Sequence, residues 1–245
     1  MKIFGFSVIA VLFCTFPLFA GYQELFKEGE NLRSKRKYAE AQEYFRKASK
    51  EDGLNPDQRA FALERIGQCY FWMKKFESGI TEMQKANDVP GITGYCRSDI
   101  NSWIGDSYKN LKKYDDAVKF YEQAAQYAPV SMPKIRYFAL MKAADCRKIQ
   151  KKWQEAVAFL EKAGELKKLP VDLKNRAFMM IPEYCMAAAD YKGVIKHAQI
   201  IMTRQDISAS LRKKLQTMIG KAYFSMQQFE KAKIELKKAE CMPDK

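Results

Sequence analysis

The residue types that carry acid–base, nucleophilic or metal chemistry are sparse in this chain. His197 is the single histidine among 245 residues, and no glycine-rich loop or nucleophile motif accompanies it. A histidine that acts as a general base needs an orienting acid and a nucleophile beside it, and a lone helical histidine is more often a surface residue. The sequence therefore predicts no enzymatic activity, no catalytic residue and no cofactor.

The cysteines show neither a metal-binding nor a dithiol spacing. Beyond residue 20 they number five, with no C-x-x-C pair: Cys69, Cys96, Cys146, Cys185 and Cys241. An odd number cannot pair completely within one chain, so at least one thiol is expected to stay unpaired. We expect small buried side chains on helices and no metal site.

The amino terminus has the features of a targeting segment. Lys2 precedes the apolar stretch 3–13, and Ala20 is a small residue at a plausible cleavage point before Gly21. Residues 1–20 are therefore predicted to be a secretory signal peptide. The alternative is an uncleaved anchor, because residues 3–20 just span a bilayer if Pro17 is tolerated near the end. Both interpretations predict export, to the periplasm or outside the cell, and the second adds membrane association.

Composition narrows the class of protein. The chain is 47% hydrophobic and 29% charged, which excludes a disordered or collagen-like chain. The excess of 43 basic over 29 acidic residues gives a net charge of +14 and favours anionic surroundings such as phospholipid head groups. Nucleic acid is a poor candidate, because export separates the chain from it and the aromatic residues are not interleaved with the lysines.

The chain repeats itself at an offset of 38 residues, with one gap of 39. This offset aligns six aromatic residues: Tyr38, Phe76, Tyr114, Trp153, Tyr191 and Phe229. It also aligns a column of small residues broken only by Pro182: Gly29, Gly67, Gly105, Ala144 and Gly220. Small residues recur where helices approach closely, so the period indicates a repeat architecture.

Each repeat has the pattern of a helical hairpin. Leu63, Ile66, Gly67 and Tyr70 form one helical stripe, and a second stripe follows a short turn. Prolines separate the units, with Asn55 and Asp172 placed as N-caps. The predicted fold is all-α, a single domain over 21–245 with about six antiparallel helix pairs. The repeats are expected near 22–55, 60–93, 98–131, 137–170, 175–208 and 213–245.

This pattern resembles the tetratricopeptide repeat family from about Tyr22 to Glu240. One unit follows the family motif closely except at its first position: Asn101, Ile104, Gly105, Tyr108, Tyr114, Ala117, Tyr121, Ala124 and Pro129. The resemblance implies an α-solenoid wound as a right-handed superhelix, with the first helix of each pair lining a concave groove. The chain departs from the family in its longer period and in Pro182, which predicts a kink in the fifth first helix.

The groove implied by the resemblance suits the apolar anchors of a peptide. Its predicted binding residues are Phe26, Phe61, Glu64, Phe71, Trp72, Asp106, Phe138, Met141, Asp145, Met179, Glu183, Met186 and Phe224. The alternative is that some of these side chains only pack between repeats. One groove column is acidic in its middle and predicts a basic or amine-bearing ligand, or else a solvated polar row: Glu30, Gln68, Asp106, Asp145, Glu183 and Lys221.

The turns of the first four hairpins carry paired cations. We name these residues the basic ridge: Arg36, Lys37, Lys74, Lys75, Lys112, Lys113, Lys151 and Lys152. They could rest on an anionic membrane, or simply complement the dipoles of the helices that they end. The leading hypothesis is a non-enzymatic scaffold of the cell envelope that holds a protein or peptide in its groove. The alternative is a membrane-surface organiser that binds anionic lipid or an acidic partner through the ridge. End-to-end association of copies stays open.

Overall fold

The computed structural model describes residues 17–243, with side chains from Gly21 onward, so the predicted signal peptide lies almost wholly outside the described residues. Within this range the chain is all-α and folds as twelve helices in six helix-turn-helix pairs, as the sequence predicts. No helix in residues 17–243 has the length and apolar character to cross a membrane.

The six hairpins share one plan. The first helices are α1 (Pro17–Ser34), α3 (Pro56–Trp72), α5 (Gly94–Asn110), α7 (Pro133–Ile149), α9 (Val171–Ala187) and α11 (Ala209–Ser225). The second helices are α2 (Tyr38–Ala48), α4 (Phe76–Asn87), α6 (Tyr114–Tyr127), α8 (Trp153–Gly164), α10 (Tyr191–Met202) and α12 (Phe229–Glu240). From α3 onward, each first helix begins four residues before the repeat start given above. The aromatic column found at the 38-residue offset supplies the first residue of every second helix.

The turn inside each hairpin is the same Schellman motif. In the second hairpin, Lys75 N–H donates to the Tyr70 carbonyl at 2.9 Å and Lys74 N–H donates to the Phe71 carbonyl at 2.9 Å. The second residue after the first helix is left-handed in all six hairpins, with φ between 57° and 60°: Arg36, Lys74, Lys112, Lys151, Ala189 and Gln227. A side chain there costs about 1–2 kcal/mol that glycine would avoid. Four of the six positions nevertheless carry a cation of the basic ridge.

The predicted helix starts are partly correct. Asn55 caps α3 in a reciprocal capping box with Gln58, as expected. The N-cap predicted at Asp172 is wrong, because α9 begins at Val171, directly after Pro170, and the carboxylate lies one residue inside the first turn. At this position the Asp172 carboxylate still interacts favourably with the positive end of the helix dipole. Helix α9 continues through the buried Pro182, and a kink at that residue stays a prediction.

The chain divides into two compact units, one that ends at Ser107 and one that begins at Tyr108. The first has a core around Phe45, Ile66 and Cys69. Its hairpin α3–α4 packs backbone against backbone, because a Cβ added at Gly79 would lie 3.1 Å from the Gly67 carbonyl oxygen. The second unit has a larger core built on Tyr121, Tyr137, Leu160, Phe178, Ile181 and Leu215.

The cysteines behave as small apolar side chains, with one exception. No disulfide joins the cysteines of residues 17–243; Cys69, Cys96, Cys146 and Cys185 are buried and Cys241 is exposed. Burial raises the pKa of the Cys69 and Cys96 thiols to about 12, so these two stay neutral. The prediction of buried cysteines is therefore right for four positions and wrong for Cys241, which follows the last residue of α12.

Candidate functional site

A cluster of four aromatic rings lies where α3 ends in the first unit. The Phe71 ring contacts Trp72, Phe76 and Trp103, each at a centroid distance of 5.4 Å and in edge-to-face geometry. Trp72 and Trp103 are 6.3 Å apart. The cluster joins the end of α3, the first residue of α4 and the middle of α5. We refer to these four residues as the aromatic cluster.

The aromatic cluster is open to solvent at one member. The side chain of Trp72 is 49% exposed, whereas the other three rings are half-buried against one another. Adjacent aromatic residues on one helix point in different directions, so Phe71 fixes the cluster while Trp72 presents its indole outward. Phe61, another predicted groove residue, forms a second edge-to-face pair with Tyr95 at 6.5 Å. Large rings with few rotamers are suited to anchoring a partner.

Glu64 does not line a groove, which corrects its prediction. Its side chain is fully buried, and Oε1 accepts hydrogen bonds from Arg65 at 3.1 Å and from Gln68 at 2.5 Å. Gln68 is buried as well, so its expected place in an exposed column is also wrong. A helical wheel gives the direction of a side chain from its own helix only. It cannot separate the groove from the seam between two first helices.

Burial and the neighbouring Asp99 raise the pKa of Glu64 to about 8, against the opposing effect of Arg65. Arg65 also donates from Nε to Glu30 Oε1 at 2.8 Å, which links α1 to α3. With one proton on Glu64, the remaining charges of Glu30, Asp99, Arg33 and Arg65 cancel. A buried carboxyl group beside a second carboxylate therefore retains its proton at neutral pH.

Two acids of the acidic column pair with neighbouring cations, and the preference for a basic ligand stays a prediction. Glu30 pairs with Arg33 at 2.5 Å and with Arg65 at 2.8 Å. Asp145 pairs with Lys109 of the preceding first helix. The repeat offset aligns the acidic residues of the column, but it gives no information about the cations that neighbouring helices place beside them.

The other groove residues differ in burial. Phe26 is half-buried and packs against the core of the first unit, with its ring 5.4 Å from Tyr22 and 5.3 Å from Phe45, and its place in the groove stays a prediction. Met141 and Met186 are half-buried against the core of the second unit, and Asp106 is half-buried in α5. Phe138 and Phe224 are 50% and 61% exposed.

In the second unit, the first helices α9 and α11 enclose a cavity of about 490 Å³. Two predicted groove residues, Met179 and Glu183, line it together with Met180, Leu211, Asn175 and Lys214. Thioether and leucine side chains form apolar walls, and the exposed charges of Glu183 and Lys214 lie at the rim. The cavity has the size and mixed lining of a site for one or two side chains of a partner.

All eight residues of the basic ridge are exposed. Lys37 pairs with Glu40 at 3.2 Å, and Lys152 pairs with Asp115 at 3.2 Å. The other six make no ion pair within the part of the chain that the structure describes. Hydrogen bonds from Arg147, Lys152 and Gln150 lower the pKa of Asp115 to about 2.

A column of arginines bonds the carbonyl groups at the ends of the second helices, and the predicted site residues do not include it. Arg136 of α7 donates to the Ala125 carbonyl at 2.9 Å and to the Ala128 carbonyl at 2.8 Å, at the end of α6. Arg97 bonds the Asn87 carbonyl at 3.0 Å, and Arg212 bonds the Met202 and Arg204 carbonyls. The same offset that aligned the aromatic residues aligns these bases: Arg59, Arg97, Arg136, Lys174 and Arg212. This alignment of basic residues is the feature of the sequence from which the capping positions could have been predicted.

Helical hairpins of one size, joined at a constant offset, define an α-helical repeat protein. The sequence model described as tetratricopeptide repeat matches residues 98–131 and 214–240. These two segments, in the third and sixth hairpins, are therefore similar to tetratricopeptide repeats, and the hairpins together form a repeat scaffold. A search of curated protein sequences gives no match.

Solved structures support the fold. The apo form of RapI is similar with a TM-score of 0.60 and 13% identity, over 87% of this chain and 62% of RapI. PilF of Pseudomonas aeruginosa is similar with a TM-score of 0.54 and 14% identity, over 89% of this chain and 91% of PilF. MamA from Desulfovibrio magneticus gives 0.52 and 12%, over 75% of this chain and 94% of MamA. At these identities the likeness concerns the fold alone.

Proposed function

We propose that this protein is a non-enzymatic scaffold that binds a protein or peptide partner on the faces of its first helices. The observation that carries the proposal is the aromatic cluster, in which the half-buried rings of Phe71 and Trp103 contact Trp72 while Trp72 itself stays 49% exposed. The exposed part of this indole adds nothing to the packing of the first unit's core, so its position is better explained by contact with a partner. The same arrangement lets a partner bury apolar surface without ordering a flexible anchor.

The second unit would contribute through the cavity between α9 and α11. Met side chains adapt to different apolar shapes, and Met179 and Met180 both line this cavity. We also propose that the protein acts outside the cytoplasm, in the cell envelope or as a secreted protein. This rests on residues 1–20, where a basic residue, an apolar stretch and a small residue follow in order.

The double variant Phe71→Ala with Trp72→Ala tests the proposal. We expect partner affinity to fall at least about tenfold, because buried aromatic anchors carry a large share of binding energy. The measurement is titration of the purified full chain with a partner identified by cross-linking. The control removes two exposed apolar side chains elsewhere, Tyr127→Ala with Val130→Ala. Equal affinity of both variants and the unaltered chain would contradict the proposal, provided circular dichroism shows both variants folded.

A second candidate function is contact with an anionic membrane surface through the basic ridge. In the first unit, α1 and α3 lie side by side, since Tyr22 Oη donates to the Gln58 carbonyl at 3.1 Å and Glu30 pairs with Arg65. Their turns therefore present Arg36, Lys37, Lys74 and Lys75 at one edge. Each cation near an anionic bilayer contributes about 1 kcal/mol.

Vesicle flotation tests the ridge. We expect the protein to bind vesicles that contain phosphatidylserine, and to be released as salt is raised, because screening weakens surface ion contacts. Changing Arg36, Lys37, Lys74 and Lys75 to Gln should abolish binding. The control makes the same loss of charge on other exposed lysines: Lys50, Lys119, Lys196 and Lys233. Equal loss in both variants would show non-specific attraction by net charge, and binding that resists salt would exclude the ridge.

A further inference from the structure

The second unit contains a cleft that the proposed function does not use. It lies between the second helices α8 and α10, over the end of α9, and has a volume of about 630 Å³. Trp153, Val157 and Ala158 of α8 form one wall, and the floor is formed by the buried Cys185 of α9 and by Ala188, which directly follows α9. Charged groups complete the lining: Lys151, Lys152, Glu155, Glu161, Asp190 and His197.

Comparison with the preceding pair of hairpins explains why this cleft is open. There, Arg147 at the end of α7 bridges Asp115 of α6 and Glu155 of α8, the latter at 2.8 Å. Gln150 donates to Asp115 at 3.0 Å, and Lys152 pairs with the same carboxylate. These long side chains occupy the space between α6 and α8.

A shift of 38 residues replaces each of these groups. Cys185 stands at the position of Arg147, Ala188 at that of Gln150 and Asp190 at that of Lys152. The floor loses three long polar side chains, and the space that they occupy in the preceding hairpins is left as a cleft. Two cations are lost and one anion is gained, so the cleft lacks positive charge relative to its neighbour.

The remaining carboxylates can accept a cation. Asp190 uses Oδ1 to cap Gly193 N–H at 2.8 Å, and its Oδ2 has no hydrogen bond within residues 17–243. Glu161 lies with Oε1 3.4 Å from His197 Nδ1 and is half in solvent. The other charges are engaged or peripheral: Glu155 pairs with Arg147, Lys152 pairs with Asp115, and Lys151 belongs to the exposed turn.

The floor is chemically inert. Burial raises the pKa of the Cys185 thiol to about 11, an effect reinforced by Asp190 and Glu161, so the thiol adds no negative charge at neutral pH. The indole of Trp153 lines the cleft together with the carboxylates, and the faces of such rings attract guanidinium and ammonium groups.

We propose that this cleft binds a guanidinium or alkylammonium group carried on a short apolar stem. The cation lies between Glu161 and Asp190, in the role that Arg147 plays one repeat earlier, and the stem contacts Trp153 and Val157. The ligand is either an arginine or lysine side chain of a partner protein or a free small amine. This site is separate from the first-helix faces and does not depend on the function proposed for them.

Titration with n-butylguanidinium tests the site, with the neutral n-butylurea as the matched probe. Trp153 fluorescence is read in a chain with Trp72→Phe and Trp103→Phe, and we expect butylguanidinium to bind at least about fivefold more tightly than butylurea. Asp190→Asn keeps an N-cap for α10 but removes the charge, and with Glu161→Gln it should abolish this preference. Cys185→Arg should refill the cleft and prevent binding.

Several results would overturn the proposal. These are equal binding of the two probes, no binding of butylguanidinium to the unaltered chain, or an unchanged preference in the Asp190→Asn, Glu161→Gln chain. The variant that combines Asp190→Asn with Glu161→Gln keeps the test valid even if the Cys185→Arg variant fails to fold. The source of the cation is decided with acetyl-Gly-Arg-Gly-amide. Tighter binding of this peptide than of butylguanidinium indicates a partner side chain, and weaker binding indicates a free small molecule.

Discussion

The first unit is expected to lose on the order of 4 kcal/mol of stability as the pH rises from 4.5 to 8, because Glu64 must ionise while buried beside Asp99. The pKa of Glu64 is about 8 in the folded chain, against 4.5 for an ordinary glutamate. Its protonated form therefore stabilises the fold fully below pH 4.5, and this contribution is lost as the pH approaches 8. Urea unfolding, followed by Trp72 and Trp103 fluorescence in a Trp153→Phe chain, measures the effect.

Glu64→Gln should flatten this profile, since glutamine keeps hydrogen-bonding capacity at the site and does not ionise. Glu43→Gln, at an exposed position of α2, is the control and should leave the slope unchanged. The carboxylates with lowered pKa values, Asp115 and Asp206 at about 2, act in the opposite direction and only below pH 4. A flat profile in the unaltered chain, or the same slope after Glu64→Gln, would show that Glu64 does not hold a proton.

Arg136→Met is expected to destabilise the second unit by about 3 kcal/mol. The variant removes two hydrogen bonds from a charged donor and leaves the carbonyls of Ala125 and Ala128 without it, at residues that are themselves buried. Methionine preserves most of the packing of the aliphatic part of the arginine side chain. The loss of stability therefore measures the two hydrogen bonds to the carbonyl groups. Urea unfolding followed by Trp153 fluorescence in a Trp72→Phe, Trp103→Phe chain gives the free energy of unfolding.

The control for Arg136 is Lys134→Met, an exposed cation two residues earlier on α7. It removes the same charge without a carbonyl partner and should change stability by less than about 0.5 kcal/mol. Similar unfolding midpoints for the two variants would mean that the hydrogen bonds of Arg136 do not contribute to the stability of the second unit. A selective loss at Arg136 would indicate that these bonds fasten one hairpin to the next.

Most of the fold follows from periodicity in the sequence. A hairpin too small to bury its own stripe must repeat, and the repeat places small residues at close helix contacts and aromatic residues at fixed positions. The column from Tyr38 to Phe229 located the start of every second helix because a shared turn precedes each of them. Asn55 was found for the same reason, since capping depends on neighbours along the chain.

The site was harder to predict because it depends on neighbours in space. Glu64 and Trp72 lie on the same arc of α3, yet one is sealed beside Asp99 and the other reaches solvent. The pairing of Asp145 with Lys109 and the cleft over Cys185 likewise require two hairpins at once. A projection of a single helix omits the adjacent helix, although contacts with that helix determine whether a side chain is buried.

Photo-crosslinking from position 72 tests the central claim most directly. A benzoylphenylalanine replaces Trp72 in one strain and Gln84, exposed on α4 of the same hairpin, in another. We predict that irradiated cells yield a discrete protein adduct from position 72 that is absent from position 84 and disappears with Phe71→Ala. Adducts that are equal from both positions, or absent from position 72, would contradict a partner-binding role for the aromatic cluster.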